Sequence, residues 1–240
     1  DANWNDTFGS GYANMYAVMF GHLNVANVDY EKTFPIGGGW GAGSVAPNLY
    51  EDWEKAEPGD MRRSASIQDM DKTEISLIDY SKNAAQLTQY HEKKISPVIG
   101  VFDNMWGQKY DIFELGMFYE NGTPNTQNPF QHGSIHPLNL IRFADVLLMH
   151  SELTGTTDGM NKVRARAGLS PISTYSLEAL QQERRWELAF EGVRWNDMRR
   201  WGDDYCKKAL DRQLNQPIIN QKNNVTNTGE LFGLTNYSEQ

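Results

Sequence analysis

Three glutamates recur at every fourth position in the stretch Glu183-Arg184-Arg185-Trp186-Glu187-Leu188-Ala189-Phe190-Glu191-Gly192. On a helix that spacing places Glu183, Glu187 and Glu191 in one row. Exposed like charges so placed repel by roughly 0.2–0.5 kcal/mol per pair. A chain keeps such a row where cations face it. Arg142 lies on an earlier helical stretch, Arg164 and Arg166 on the one before the row, and Arg194 and Arg199 just after it. The planar guanidinium fork binds carboxylates bidentately. The pattern therefore predicts several helices locked around a partly buried arginine–carboxylate network. The rival reading is a catalytic acid/base pair, whose carboxylates can sit about 5–5.5 Å apart. Neighbours on one helix face do not easily flank a scissile bond, and arginine partners would lower both pKa values rather than raise one. No catalytic residue is assigned.

The surrounding text is helical. Leu140, Phe143, Ala144, Leu147, Leu148 and Ser151 form one apolar face of a helix that begins near 138, after Pro137, and stops at Gly155. Asp158 is read as the cap of a second helix that runs to Ala167 and ends at Gly168. Ser176 caps a third, Leu177 to Phe190, and a fourth runs from Arg194 to about Trp201, closed by Gly202. Short links favour antiparallel hairpins. Residues 136–215 are thus one helical region, and 216–240, rich in Asn and Gln, are a loop-like tail.

Residues 1–135 read differently, with Gly, Asn, Pro and aromatics crowded into short runs. Phe34 to Gly43 holds too many glycines for a helix. Asn48–Ala56 reads as a short helix, Ile95–Phe102 as extended, Asn121–Asn125 as a turn, and 121–135 as a long exposed loop. Trp40, between Gly39 and Gly41, has little local packing to hide it, and its indole face suits the apolar face of a sugar ring. Phe8 and Tyr12 flank Gly9-Ser10-Gly11 and offer a second stacking surface. The competing reading is that Trp40 is buried and plugs a groove, as most tryptophans are.

Several function classes fall away. The 240 residues carry a formal net charge of −9, with basic residues interleaved among acids, which argues against a duplex nucleic-acid binder. Mean hydropathy is −0.63 and no long apolar run occurs, so no membrane-spanning helix is expected. The start, Asp1-Ala2-Asn3-Trp4, does not look like a signal peptide, and the single Cys206 makes no internal disulfide. His132 and His136 lack a helix to align them for metal, and neither a phosphate-binding loop nor a serine elbow is present. No metal or cofactor is expected.

The helical region resembles the carboxy-terminal part of the SusD/RagB family of Bacteroidetes outer-membrane lipoproteins. The resemblance is carried by Ile141-Arg142-Phe143-Ala144-Asp145-Val146-Leu147-Leu148-Met149, by Asn161-Lys162-Val163-Arg164-Ala165-Arg166-Ala167-Gly168-Leu169, and by the whole of Glu183 to Gly202. Asp60-Met61-Arg62 extends it more weakly. It implies a mostly α fold of tetratricopeptide-like hairpins, an α-α superhelix, packed with an irregular loop-rich lobe. It also implies a lipid-anchored protein on the extracellular face of the outer membrane, the anchor lying outside this chain. Such a protein captures polysaccharide or oligosaccharide for a SusC-like TonB-dependent transporter in carbohydrate uptake, and it is not an enzyme. The glutamate–arginine signature, with Arg184 and Asp197 included, is then structural. Gly39-Trp40 and the Phe8–Tyr12 turn resemble the family's aromatic cradle, and Asn14 and Asn48 are candidates to bond sugar hydroxyls. The alternative within the family is a peptide- or protein-binding receptor of the RagB type. Family members are longer, with a further helical half, so an exposed apolar face is expected on the helix of residues 138–154.

Overall fold

The computed structural model describes residues 42–69, 90–95 and 139–214, with short pieces at 19–20, 88, 101–103, 109–111, 119–120, 123–124, 218–220 and 225–227. Among these residues the fold is mostly helical, of tetratricopeptide-like hairpins. The chain forms two compact units: one takes 1–45, 68–138 and 219–225, the other 46–67, 139–218 and 226–240.

The second unit holds seven described helices. Helix α1 (Pro47–Ala56) opens on a proline in its first turn, where a missing N–H costs nothing, and buries Asn48, Tyr50 and Trp53. The Asp60 carboxylate caps α2 (Met61–Ser66) by accepting from the Arg62 backbone N–H at 2.9 Å. Helix α3 (Phe143–Thr154) ends on Gly155, whose φ of 64° is the left-handed conformation that favours glycine. It starts five positions later than the expected 138. Arg142 is held extended, at φ −129° and ψ 162°, so that its side chain reaches Glu187 and Glu191.

Helix α4 (Asp158–Arg166) follows the short link 155–157. Asp158 is its first residue rather than its cap, which is Thr157. A side chain at Gly159 would collide with the Leu147 carbonyl, so α3 and α4 meet there at backbone distance. Ser176 caps α5 (Leu177–Glu187), its hydroxyl accepting from the Ala179 N–H at 3.1 Å. This helix stops at Glu187 rather than Phe190, because Phe190 sits at φ 68°, outside helical space. Helix α6 (Arg194–Arg200) leads to Gly202 at φ 99° and then to α7 (Asp203–Leu214). The sequence reading did not separate α7.

Leu148, Met160 and Leu180, each 0% exposed, form the centre where α3, α4 and α5 meet, and Ala144, Val163 and Leu188 complete it. Trp53 of α1 lies flat on Trp186 of α5, with ring centres 5.2 Å apart and planes 10° from parallel. The opposite side of α3 is bare. Phe143 is 73% exposed, Val146 44% and Leu153 87%, with Leu140 and Ile141 exposed just before them. An exposed apolar side is therefore present as expected, but the single face read from the sequence is split: Leu140 and Phe143 are exposed, whereas Ala144, Leu148 and Ser151 are buried.

The described parts of the first unit are short strand pairs. Strand β1 (Ile67–Asp69) pairs with β2 (Tyr90–Glu92). Strands β3 (Val101–Asp103) and β4 (Lys109–Asp111) run antiparallel with Phe102 opposite Tyr110. Strands β5 (Tyr119–Glu120) and β6 (Thr123–Pro124) form an antiparallel pair, so Thr123 and Pro124 are strand where the turn over 121–125 was expected, and the rest of that turn lies outside the described residues. The tail carries a further pair, β7 (Ile218–Asn220) with β8 (Val225–Asn227), where loop was expected. Around β2, the Val45 N–H donates to the Tyr90 carbonyl at 2.9 Å and the Glu92 N–H to the Gly43 carbonyl at 2.8 Å.

Candidate functional site

The glutamate row is the most densely bonded part of the helical unit. Glu183 accepts from Arg62 at 2.6 Å and from Arg164 at 3.0 Å. Glu187 accepts from Arg142 at 2.5 Å, from Arg62 at 2.9 Å, and from Arg166. Glu191 takes the fork of Arg142 at 2.6 and 2.7 Å. Next to the row, Arg184 bridges Asp145 at 2.7 Å and Asp197 at 2.9 Å. Of the five arginines expected to face the row, Arg142, Arg164 and Arg166 do so. Arg199 is exposed, and Arg194 turns to Tyr205 instead.

Arg62 was not among the expected partners, yet it joins Glu183 to Glu187. Asp60 braces it at 2.7 Å and also accepts from the Trp53 indole N–H at 2.8 Å. The signal was available in Asp60-Met61-Arg62, but its partners lie more than a hundred residues away. Burial pushes the Glu183 carboxyl above its ordinary range, and Arg62 and Arg164 only partly offset it. In Glu187 the same burial is outweighed by hydrogen bonds from Arg62 and Arg142, and the net shift is downward. Both side chains are 1% exposed beneath these guanidiniums, which leaves a substrate no approach to the row.

Of the residues expected to bind a ligand, Phe8, Tyr12, Asn14 and Trp40 lie outside the described residues. Asn48 is described: it is 8% exposed on α1 and lines a cleft of about 480 Å³ within the helical unit. Helices α1, α5, α6 and α7 build this cleft. Four cations line it, Arg185, Arg194, Lys208 and Arg212, against two carboxylates, Asp52 and Glu178. Asp52 serves two of the cations, Arg185 at 2.7 Å and Arg212. Arg194 lies 5.5 Å over the Tyr205 ring and donates to its hydroxyl at 3.2 Å. Gln181, Gln182 and Asn48 add amides to the lining, and Trp186 an aromatic wall. The sequence reading missed the cleft because two of its four cations, Lys208 and Arg212, sit on α7. Among the described residues no group of His, Cys, Asp and Glu is placed to hold a metal ion.

Comparison with known proteins gives a consistent picture. The profile of the SusD family matches residues 4–234. SusD-like protein P2 of Formosa agariphila is 27% identical over 212 residues, 80% of this chain but 36% of its own length. A solved laminarin binding SusD-like protein superposes with a TM-score of 0.55 at 25% identity, covering 86% of this chain and 42% of its own. Surface glycan-binding protein A from Bacteroides fluxus has the same fold, with a TM-score of 0.56 at 23% identity over 80% of this chain and 36% of its own. The chain thus spans well under half the length of the relatives it matches.

Proposed function

The chain belongs to the SusD family, and from that premise we propose that it binds polysaccharide or oligosaccharide at the cell surface. It captures the glycan on the extracellular face of the outer membrane and passes it to a SusC-like TonB-dependent transporter, with a lipid anchor outside the chain as its tether. The observation that carries this reading is the laminarin binding relative, which overlaps 86% of the chain within a family match over residues 4–234.

The ligand is held without covalent chemistry. Trp40 stacks on a sugar face, Tyr12 and Phe8 extend the platform, and Asn14 bonds hydroxyls. Asn48 contributes from α1, where it lines the cleft. The arginine–carboxylate network shapes the helices and takes no part in turnover. The test is electrophoresis of the protein through gels containing a panel of polysaccharides, with Trp40→Ala run alongside. Retardation by a glycan that the substitution abolishes is the expected result. Retardation that survives the substitution removes Trp40 from the site, and binding to peptides alone would favour a RagB-type receptor.

A further inference from the structure

The helical cleft departs from the rest of the molecule in sign. The chain as a whole carries a net charge of −9, yet the cleft gathers four cationic side chains around two carboxylates. Arg194 has no carboxylate within ion-pair distance among the described residues; its partner is the neutral Tyr205 hydroxyl at 3.2 Å. Arg185 is held below its ordinary value, first by burial and then by the nearby charges of Arg194 and Arg212, with Asp52 working the other way. Trp186 forms the aromatic wall, with the Arg185 guanidinium 4.9 Å over its ring.

We propose that this cleft is a binding subsite for an acidic sugar, one bearing a carboxylate or a sulfate group. The oxyanion sits against Arg194 and Lys208, where charge-assisted hydrogen bonds are strongest. The amides of Asn48, Gln181 and Gln182 take the ring hydroxyls. The cleft's volume of about 480 Å³ falls within the ordinary range for small-ligand sites. The sugar part of this inference rests on the glycan reading above, whereas the anion part rests on the cleft alone. The subsite selects among glycans by charge.

The test is calorimetric titration of the protein with glucuronic acid, glucose 6-sulfate, a neutral glucose oligosaccharide and inorganic sulfate. Arg194→Gln, Lys208→Gln and Trp40→Ala are titrated in parallel, with circular dichroism reporting folding. The expected result is saturable binding of one or both acidic sugars, weakened about tenfold or more by Arg194→Gln, as the loss of a charged hydrogen bond implies. Lys208 is exposed, so Lys208→Gln is expected to fold normally and to weaken binding in the same direction. The preferred acid, glucuronic acid or the sulfate ester, identifies the anion. Failure of both acidic sugars to bind overturns the subsite, as does binding that both charge substitutions leave unchanged. Inorganic sulfate bound as tightly as the sulfated sugar overturns the sugar assignment. Neutral-glycan binding lost in Trp40→Ala, with no acidic-sugar binding, overturns the subsite and leaves the proposed function standing.

Discussion

Arg184 shows how the side chains of this unit depend on one another. It is 5% exposed and neutralises Asp145, 8% exposed, and Asp197, 4% exposed. Arg184→Ala leaves both carboxylates buried with less compensation, although Arg200 still reaches Asp197 at 2.9 Å. Breaking a buried pair from one side typically costs about 3–5 kcal/mol. We expect a loss of that order, measured as a lowered midpoint in urea with an unchanged slope. A change under about 0.5 kcal/mol, the range of ordinary surface substitutions, would mean the network is ornamental. At this scale the sequence was informative where partners share a periodic pattern: the row Glu183, Glu187, Glu191 announced that arginines must face it. It pointed to Arg142, Arg164 and Arg166 correctly, but also to Arg194 and Arg199, and it missed Arg62. Arg62 and Arg194 differ little as letters, and only the packing of α2 and α7 decides that one meets the row and the other meets Tyr205.

Helix α3 separates core from surface most sharply. Leu148 is 0% exposed at the centre where three helices meet, whereas Phe143 is 73% exposed on the bare side. Leu148→Ala should destabilise by about 2–5 kcal/mol, through lost transfer energy and the cavity left behind. Phe143→Ser should change stability by no more than about 0.5 kcal/mol while reducing self-association. Thermal melts and sedimentation velocity check the two. A large loss of stability in Phe143→Ser would show that the face is covered in solution. Helix caps and stops were legible because they are local: the Ser176 hydroxyl and Gly155 do what their residue types dictate. Boundaries set by distant contacts were not. Arg142 stays extended to reach Glu187 and Glu191, which delays α3, and the left-handed turn at Phe190 cuts α5 short. The α7 stretch has no cap as explicit as Ser176, and it passed unrecognised.

The molecule as a whole should respond to acid through His91. This imidazole is 2% exposed, its Nδ1–H donates to the Glu92 carbonyl at 2.6 Å, and burial lowers its pKa from 6.5 to about 4. In the unfolded chain the same group takes up a proton near its ordinary pKa. Its contribution is therefore complete above pH 6.5 and is lost as the pH falls towards about 4. The loss is on the order of 3 kcal/mol, at 1.36 kcal/mol per unit. Urea melts of the unit that carries His91 should weaken across that window, and His91→Gln should flatten the dependence. An unchanged slope in the variant would assign the acid sensitivity to other groups.

Family and fold class were legible at this largest scale because the signature of residues 183–202 is contiguous. The proposed ligand residues Phe8, Tyr12, Asn14 and Trp40 lie outside the described residues, and no periodicity encodes how such positions would come together. The most direct test of the central claim is an equilibrium titration of laminarin oligosaccharides and other glycans into the protein, with the sugars chromatographed before and after. The account predicts saturable binding of at least one glycan, recovered at unchanged length. No binding to any glycan, or recovery of shortened products, would contradict it.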